Sequence, residues 1–275
     1  MRKKPPPPKV SVPNIPGSYF DRINSERDNF DHWAVLADAA MENDDFRLAL
    51  SAQAEMERLA EQTDSDTWLV ETFLSRFDYH DRQGNYHEAA QAWQAAAGIN
   101  EQINETIEVL LQMFLMADML DEAQDYTDSE WLSKPVADYY RASIAHRRGD
   151  PVRATYLWRQ IANTNLEDFP EALVVRATAM CWIGQPLQAL SLLLEDHRRR
   201  SADWDHILHT SLVMALAWAI QGDLATAQAN LKTALSSFDA PHERLGALDW
   251  YEFEQLVQDE TIKAELRPFF ELDDQ

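Results

Sequence analysis

Residues 83–93, Gln-Gly-Asn-Tyr-His-Glu-Ala-Ala-Gln-Ala-Trp, carry the pattern that decides the fold. Gly84 can adopt a left-handed backbone conformation without a Cβ penalty, so it can end one helix at a tight turn. The residues after it favour a second helix, in which Ala89 is small enough for close contact with the first. Trp93 follows four residues later on the same helical face. The stretch therefore predicts two antiparallel helices joined by a short turn.

The same turn and alanine occur six times along the chain. Glycine or aspartate occupies each turn, and aspartate tolerates the left-handed conformation better than most residues. Successive alanines lie 31 to 40 residues apart, with a mean of 35.6. The turn residues are Asp44, Gly84, Asp118, Gly149, Gly184 and Gly222, and the alanines are Ala49, Ala89, Ala123, Ala154, Ala189 and Ala227. Six units at this period predict an array of helix pairs.

The repeated unit resembles the tetratricopeptide repeat. Residues 83–96 are similar to the turn and second helix of that family, and residues 32–37, His-Trp-Ala-Val-Leu-Ala, are similar to its first helix. The resemblance covers about residues 30–240. It implies a right-handed superhelix of helix pairs, in which the first helix of each pair lines a concave groove.

Composition agrees with an all-α fold, because glycine is scarce (7 of 275 residues) and helix-favouring residues dominate. We predict a right-handed α-solenoid of about six tetratricopeptide-like helix pairs over residues 21–245. A disordered, basic, proline-rich tail (residues 1–20) should precede it, and C-terminal capping helices (residues 246–275) should follow. Irregular packing is expected near residues 60–68 and 124–136, where the repeat pattern is weakest.

The C-terminal segment differs from the repeats and has its own apolar pattern. Asp249 and Glu252 have the spacing of a capping box, which predicts a helix start. The first helix of the sixth unit, Leu208 to Ile220, is apolar around most of its circumference and must be covered on all sides. Either the terminal helices fold over it or it accepts an apolar partner helix. The apolar terminal residues are Trp250, Phe253, Leu256, Ile262, Leu266 and Phe269.

Net charge indicates what kind of partner the protein binds. The formal net charge is −23, and residues 21–130 carry 26 acidic against 6 basic side chains. Residues 131–200, in contrast, carry 10 basic and 7 acidic side chains. An acidic surface repels nucleic acid and attracts cationic partners, so binding to DNA or RNA is not expected.

The chain shows no signature of catalysis, of a cofactor or of a metal site. Cys181 is its one cysteine, so an intramolecular disulfide and a cysteine-based zinc site are excluded. His206 and His209 share a helical face, but no acidic or thiol partner follows at a suitable spacing. Glycine-rich phosphate loops and nucleophile elbows are missing from the sequence. We therefore predict a non-enzyme that needs no cofactor and no metal.

The location of the protein follows from the absence of targeting signals. The basic start is not followed by an apolar segment, so it does not read as a secretory signal. The longest apolar stretch, Ile207 to Ile220, is too short and too polar to cross a bilayer. The expectation is a cytoplasmic protein without membrane insertion.

Candidate binding residues follow from the groove that the resemblance implies. In the first three units the first helices would present carboxylates to it, opposed within that set by Arg82. These carboxylates are Asp31, Asp38, Glu42, Glu71, Asp78, Asp81, Glu105 and Glu108. One interpretation is an acidic groove for a Lys/Arg-rich segment, and the other is a set of ordinary solvated helix faces.

The later units change the chemistry of the implied groove. The fourth unit offers Tyr139, Tyr140 and Arg147, residue types that are enriched at the centres of protein interfaces. The fifth and sixth units are almost wholly apolar there, through Val174, Thr178, Cys181, Leu212, Leu216 and Ala219.

Three functional interpretations remain open from the sequence. The first is a protein-interaction scaffold or adaptor that binds another protein, through a Lys/Arg-rich or amphipathic segment of that partner. The second is a regulatory sensor that holds a small apolar ligand or a peptide in the C-terminal groove. The third is an accessory subunit of an enzyme encoded elsewhere.

Overall fold

The structure is a computed structural model that describes residues 28–199, 204–236, 245 and 247–270. The predicted tail, residues 1–20, lies outside the described residues. The chain forms two compact units, residues 1–106 and residues 107–275.

The described part of the first unit consists of two helix pairs. Each helix packs on the next, and the first helices of the two pairs also contact each other. The helices are α1 (Phe30–Glu42), α2 (Phe46–Thr63), α3 (Asp66–Arg82) and α4 (Tyr86–Ile99), followed by a 3-10 helix (Glu101–Thr106).

The described part of the second unit contains four helix pairs and a terminal segment. The pairs are α5 (Ile107–Met116) with α6 (Leu120–Tyr126), α7 (Lys134–Arg147) with α8 (Pro151–Ala162), α9 (Leu173–Trp182) with α10 (Pro186–Arg199), and α11 (Trp204–Ile220) with α12 (Leu224–Leu235). The terminal segment comprises α13 (Ala247–Leu256), α14 (Glu260–Leu266) and a 3-10 helix (Arg267–Phe269). Leu245 and Phe270 form an isolated bridge, the one strand-like pairing among the described residues.

The turns have the conformations that the repeat pattern predicts. All six turn residues have positive φ, from 56° at Asp44 and Asp118 to 82° at Gly222. Pro151 and Pro186 are the first residues of their helices, where a missing N–H leaves no hydrogen bond unmade. All six repeat alanines are buried. The predicted all-α fold of six helix pairs is confirmed for the described residues.

One of the two predicted irregular regions is wrong. Helix α2 continues to Thr63 and α3 begins at Asp66, so the connection near residues 60–68 is a tight turn. Asp64 adopts a left-handed conformation (φ 53°), and the Ser65 hydroxyl accepts a hydrogen bond from the backbone N–H of Trp68. These two residues cap both helices, and the sequence interpretation did not use their capping chemistry.

The second irregular region is present. Helix α6 is only seven residues long, and no helix forms between Tyr126 and Lys134. Arg141 of α7 fixes this segment, because its guanidinium donates to the backbone oxygen of Thr127 at 2.8 Å and pairs with Asp128.

The terminal segment is part of the core of the second unit. Helix α13 packs against α11, and α14 packs against α12. Trp250, Phe253 and Phe270 join the same apolar cluster as Leu216 and Leu231. This arrangement covers the largely apolar helix α11, as the capping interpretation expects.

Asp249 is not the first-turn cap that its spacing from Glu252 predicts. Helix α13 begins at Ala247, two residues before Asp249, and the Asp249 side chain lies outside the described part of the structure. The Glu252 carboxylate accepts hydrogen bonds from Tyr139 and Trp182, which lie on other helices.

Candidate functional site

Carboxylates collect on one side of the first unit, where the first helices of its two pairs lie together. Asp31 and Asp38 are seven residues apart on α1, and Glu71 and Asp78 are seven residues apart on α3. Residues at this spacing share a helical face. We call this surface the acidic face and define it by Asp31, Asp38, Glu42, Glu71, Asp78 and Asp81.

Electrostatic coupling shows that the predicted carboxylates of α1 and α3 face each other. Partial dehydration raises the pKa of Glu71, and the charges of Asp31 and Asp38 raise it further. Dehydration and the charge of Glu42 raise the pKa of Asp38. The structure thus brings the acidic residues of two helices together.

Asp78 is the most perturbed carboxylate of the acidic face. Dehydration by surrounding protein, together with the nearby Asp38 and Asp81 charges, raises its pKa from 3.8 to about 6 despite the opposing charge of Arg82. Its side chain nevertheless remains accessible to solvent. A carboxylate that is accessible yet partly dehydrated is suited to meet an incoming cation.

Arg82 is the cation that offsets part of this negative charge. It lowers the pKa of Asp38, Asp78 and Asp81, while dehydration still raises all three overall. Its Nη1 donates to the backbone oxygen of Met41 at 3.4 Å, which holds it at the end of α1. One arginine shared among several carboxylates leaves the face negative.

Two exposed apolar side chains lie among these carboxylates, and the sequence interpretation missed them. Val35 is 51% exposed and lies between Asp31 and Asp38, while Leu74 is 37% exposed and lies between Glu71 and Asp78. Each lies three or four residues from the carboxylates on either side of it, which places it on the same helical face, and this spacing could have revealed both side chains. The acidic face therefore offers apolar contact as well as charge.

Glu105 and Glu108 lie outside the two helix pairs that carry the acidic face. Glu105 lies in the 3-10 helix that ends the first unit, rather than on a first helix of a pair. Glu108 lies on α5 in the second unit, where dehydration raises its pKa. No side chain of the segment Glu101–Thr106 is buried, so the compact packing of the first unit ends there.

The aromatic and arginine residues predicted for a partner contact other parts of their own unit. Tyr140 is buried, and its hydroxyl donates to the backbone oxygen of Glu108. The Tyr139 hydroxyl donates to Glu252 Oε1 of α13 at 2.7 Å. The Arg147 guanidinium lies 4.1 Å from the ring centroid of Tyr251. Tyr140 in particular is a core residue, because the helices of the second unit close over it.

The apolar groove predicted for the fifth and sixth units is filled in the described structure. Cys181, Leu216 and Ala219 belong to one buried cluster with Trp250 and Phe253 of α13. Burial and the nearby Glu252 charge raise the pKa of the Cys181 thiol, which disfavours the reactive thiolate.

The described part of the chain shows neither a metal-binding cluster nor a membrane-spanning helix. No group of three or more His, Cys, Asp or Glu side chains is placed to hold a metal ion there. No helix among the described residues is long and apolar enough to cross a membrane. A shallow cleft of about 590 Å³ lies between α7 and α8, and its Asp138 is already paired with Lys134 and Arg141.

Comparison with known proteins gives little further information. No protein-family model and no curated protein matches this chain. Among solved structures, the crystal structure of PilW, described as a widely conserved type IV pilus biogenesis factor, matches with a TM-score of 0.39 and 16% identity. The match covers 83% of this chain and 98% of PilW. The assignment of a helical repeat fold rests on the helix pairs described above.

Proposed function

We propose that this protein is a non-catalytic interaction scaffold whose acidic face binds a cationic, amphipathic segment of a partner protein. The observation that carries this proposal is the alternation of carboxylates with the exposed Val35 and Leu74 on α1 and α3. Charge on such a surface steers the partner and selects it, while the apolar side chains contribute contact area.

The free acidic face is electrostatically unfavourable, and this supports a cationic ligand. Dehydration raises the pKa of Asp38, Glu71 and Asp78, and the charges of neighbouring carboxylates raise each pKa further, although Arg82 opposes the rise at Asp38 and Asp78. Lysine or arginine side chains of a partner would relieve that repulsion.

Neutralising two carboxylates of the acidic face tests the proposal. A synthetic peptide of alternating lysine and leucine residues is titrated into the full chain and into Asp38→Asn/Asp78→Asn, and binding is followed by fluorescence anisotropy. We expect the double variant to bind about tenfold more weakly, since each exposed charge pair contributes about 0.2–1 kcal/mol and Asp78 is partly dehydrated.

The control variant changes the net charge by the same amount on the second helices of the same pairs. Glu61→Gln/Glu88→Gln removes two exposed carboxylates from α2 and α4. Its affinity for the peptide should stay within about twofold of the unsubstituted protein, because long-range attraction alone is screened at physiological salt. Equal losses in both double variants would show that net charge, and not the acidic face, binds the peptide.

A further inference from the structure

Helix α13 lies against the first helices of all four pairs in the second unit. It packs against α5 and α11. Its Glu252 side chain accepts hydrogen bonds from Tyr139 on α7 and Trp182 on α9. A helix that only covered the end of the array would contact the last pair alone, so α13 occupies a longer surface than capping requires.

The contacts of α13 with this surface are directional. Glu252 Oε1 accepts from the Tyr139 hydroxyl at 2.7 Å and from Trp182 Nε1 at 3.4 Å. The Arg147 guanidinium lies 4.1 Å from the Tyr251 ring centroid, and Arg147 Nη1 is held by the backbone oxygen of Leu115 at 2.8 Å. Oriented hydrogen-bond donors and a stacked cation favour a helix with particular side chains at these positions. Apolar burial alone would accept many different helix sequences.

Helix α13 leaves part of this surface unsatisfied. Arg147 Nε is a buried donor, and no acceptor among the described residues lies within hydrogen-bonding distance of it. The guanidinium of Arg147 contacts the Tyr251 ring, so this donor lies where the surface meets α13. An unpaired buried donor is unfavourable, and a helix with an acceptor beside Arg147 would bind better than α13 does.

We infer that the inner surface formed by α5, α7, α9 and α11 is a helix-binding groove that α13 occupies as an internal ligand. The external ligand is an amphipathic helix of a partner with acidic side chains, one at the position of Glu252 and another near Arg147. Binding of that helix displaces α13. This site is separate from the acidic face of the first unit, and it takes a ligand of opposite charge.

A peptide of residues 245–270, added to the full chain, serves as the probe for this groove. The variant Tyr251→Ala/Glu252→Ala weakens the internal ligand and leaves the groove unchanged. It should bind the labelled peptide at least about tenfold more tightly than the unsubstituted chain does, as loss of a charged hydrogen bond predicts. The matched control, Glu254→Ala/Gln255→Ala, changes two exposed residues of the same helix and should bind no more tightly than the unsubstituted chain.

Two further variants test the groove and the chemistry of its ligand. Adding Tyr139→Phe and Arg147→Ala to the Tyr251→Ala/Glu252→Ala variant, which we call the weakened chain, should abolish the gain in peptide affinity. A peptide carrying Tyr251→Glu should bind the weakened chain more tightly than the native peptide, because the new carboxylate can accept from Arg147 Nε. Equal or weaker binding of the Tyr251→Glu peptide would overturn the acidic ligand. If Tyr251→Ala/Glu252→Ala bound the native peptide no more tightly than the unsubstituted chain does, the groove would be overturned.

If Tyr251→Ala/Glu252→Ala does not fold, hydrogen exchange of the unsubstituted protein tests whether α13 can be displaced. Displacement requires α13 to open while the rest of the second unit stays folded. The amides of α13 should therefore exchange at least about tenfold faster than those of α9. Equal protection of the two helices would show that α13 is a permanent part of the core and would overturn the proposal.

Discussion

At the residue scale, Asp78 links the acidic face to the stability of the protein. Its pKa is raised from 3.8 to about 6, so the folded state binds the proton more tightly than the unfolded chain. For a carboxyl with a raised pKa, stability falls as pH rises from about 4 to about 6 and stays lower at neutral pH. Asp78→Asn should therefore raise the melting temperature at pH 7.5 and leave it nearly unchanged at pH 4.

The control for this prediction removes a carboxylate from a helix outside the acidic face. Glu61 is exposed on α2, and Glu61→Gln should shift the melting temperature little at either pH. Calorimetric melts at the two pH values make the comparison. A stabilisation of Asp78→Asn that is equal at pH 4 and pH 7.5 would contradict the raised pKa.

Turn residues permit a second test at this scale. Asp118 and Gly149 both adopt left-handed backbone, with φ of 56° and 73°. A Cβ atom at Gly149 would meet no atom within 4 Å, so only the backbone conformation resists a side chain there. Gly149→Ala should destabilise the protein by about 1 kcal/mol, and Asp118→Gly should stabilise it or leave it unchanged. Urea denaturation midpoints check both signs, and a stabilising Gly149→Ala would contradict the turn assignment.

At the element scale, the terminal segment makes a large contribution to the second unit. Trp250, Phe253 and Phe270 are buried in its core, and each buried aromatic side chain contributes roughly 1.5–3 kcal/mol before the cost of ordering the segment. Deleting residues 247–275 should lower the melting temperature by several degrees and cause aggregation. Calorimetry and light scattering would show this. A truncated protein that stayed monomeric and equally stable would contradict the packing of α13 and α14.

Helix pairs were predictable because their determinants are local. A left-handed turn residue such as Gly184 and an alanine five residues later, Ala189, both act within one helix pair, and both are placed as predicted. The connection at Asp64 and Ser65 was mispredicted, because its two caps replace the usual glycine turn. Local chemistry determined that turn too, but through a different set of residues.

The hydrogen-bond partners of α13 were not predictable, because they depend on distant parts of the chain. Tyr139 and Glu252 are 113 residues apart and form one hydrogen bond. Helical spacing correctly placed Asp38 and Asp78 near each other, since α1 and α3 are equivalent helices of neighbouring pairs. It could not show that Tyr139 and Arg147 would meet a helix of their own chain.

At the scale of the whole molecule, added salt should stabilise the free protein and weaken its binding to a cationic peptide. Residues 21–130 carry a net charge of −20, so added salt screens repulsion within the free protein. Raising ionic strength from about 0.05 M to about 0.5 M should raise the melting temperature and weaken binding of the lysine–leucine peptide. Melts and anisotropy titrations over the same salt series test this. Affinity that was insensitive to salt would contradict an electrostatic site.

The location of a bound cationic segment is the central claim, and hydrogen-exchange mass spectrometry measures it directly. The full chain is exchanged with and without the lysine–leucine peptide, and a peptide with glutamate in place of lysine serves as the control. We expect slower exchange in α1 and α3, residues 30–42 and 66–82, with the cationic peptide only. Protection that appeared elsewhere, or that appeared equally with the acidic peptide, would contradict the assignment of the acidic face as the binding site.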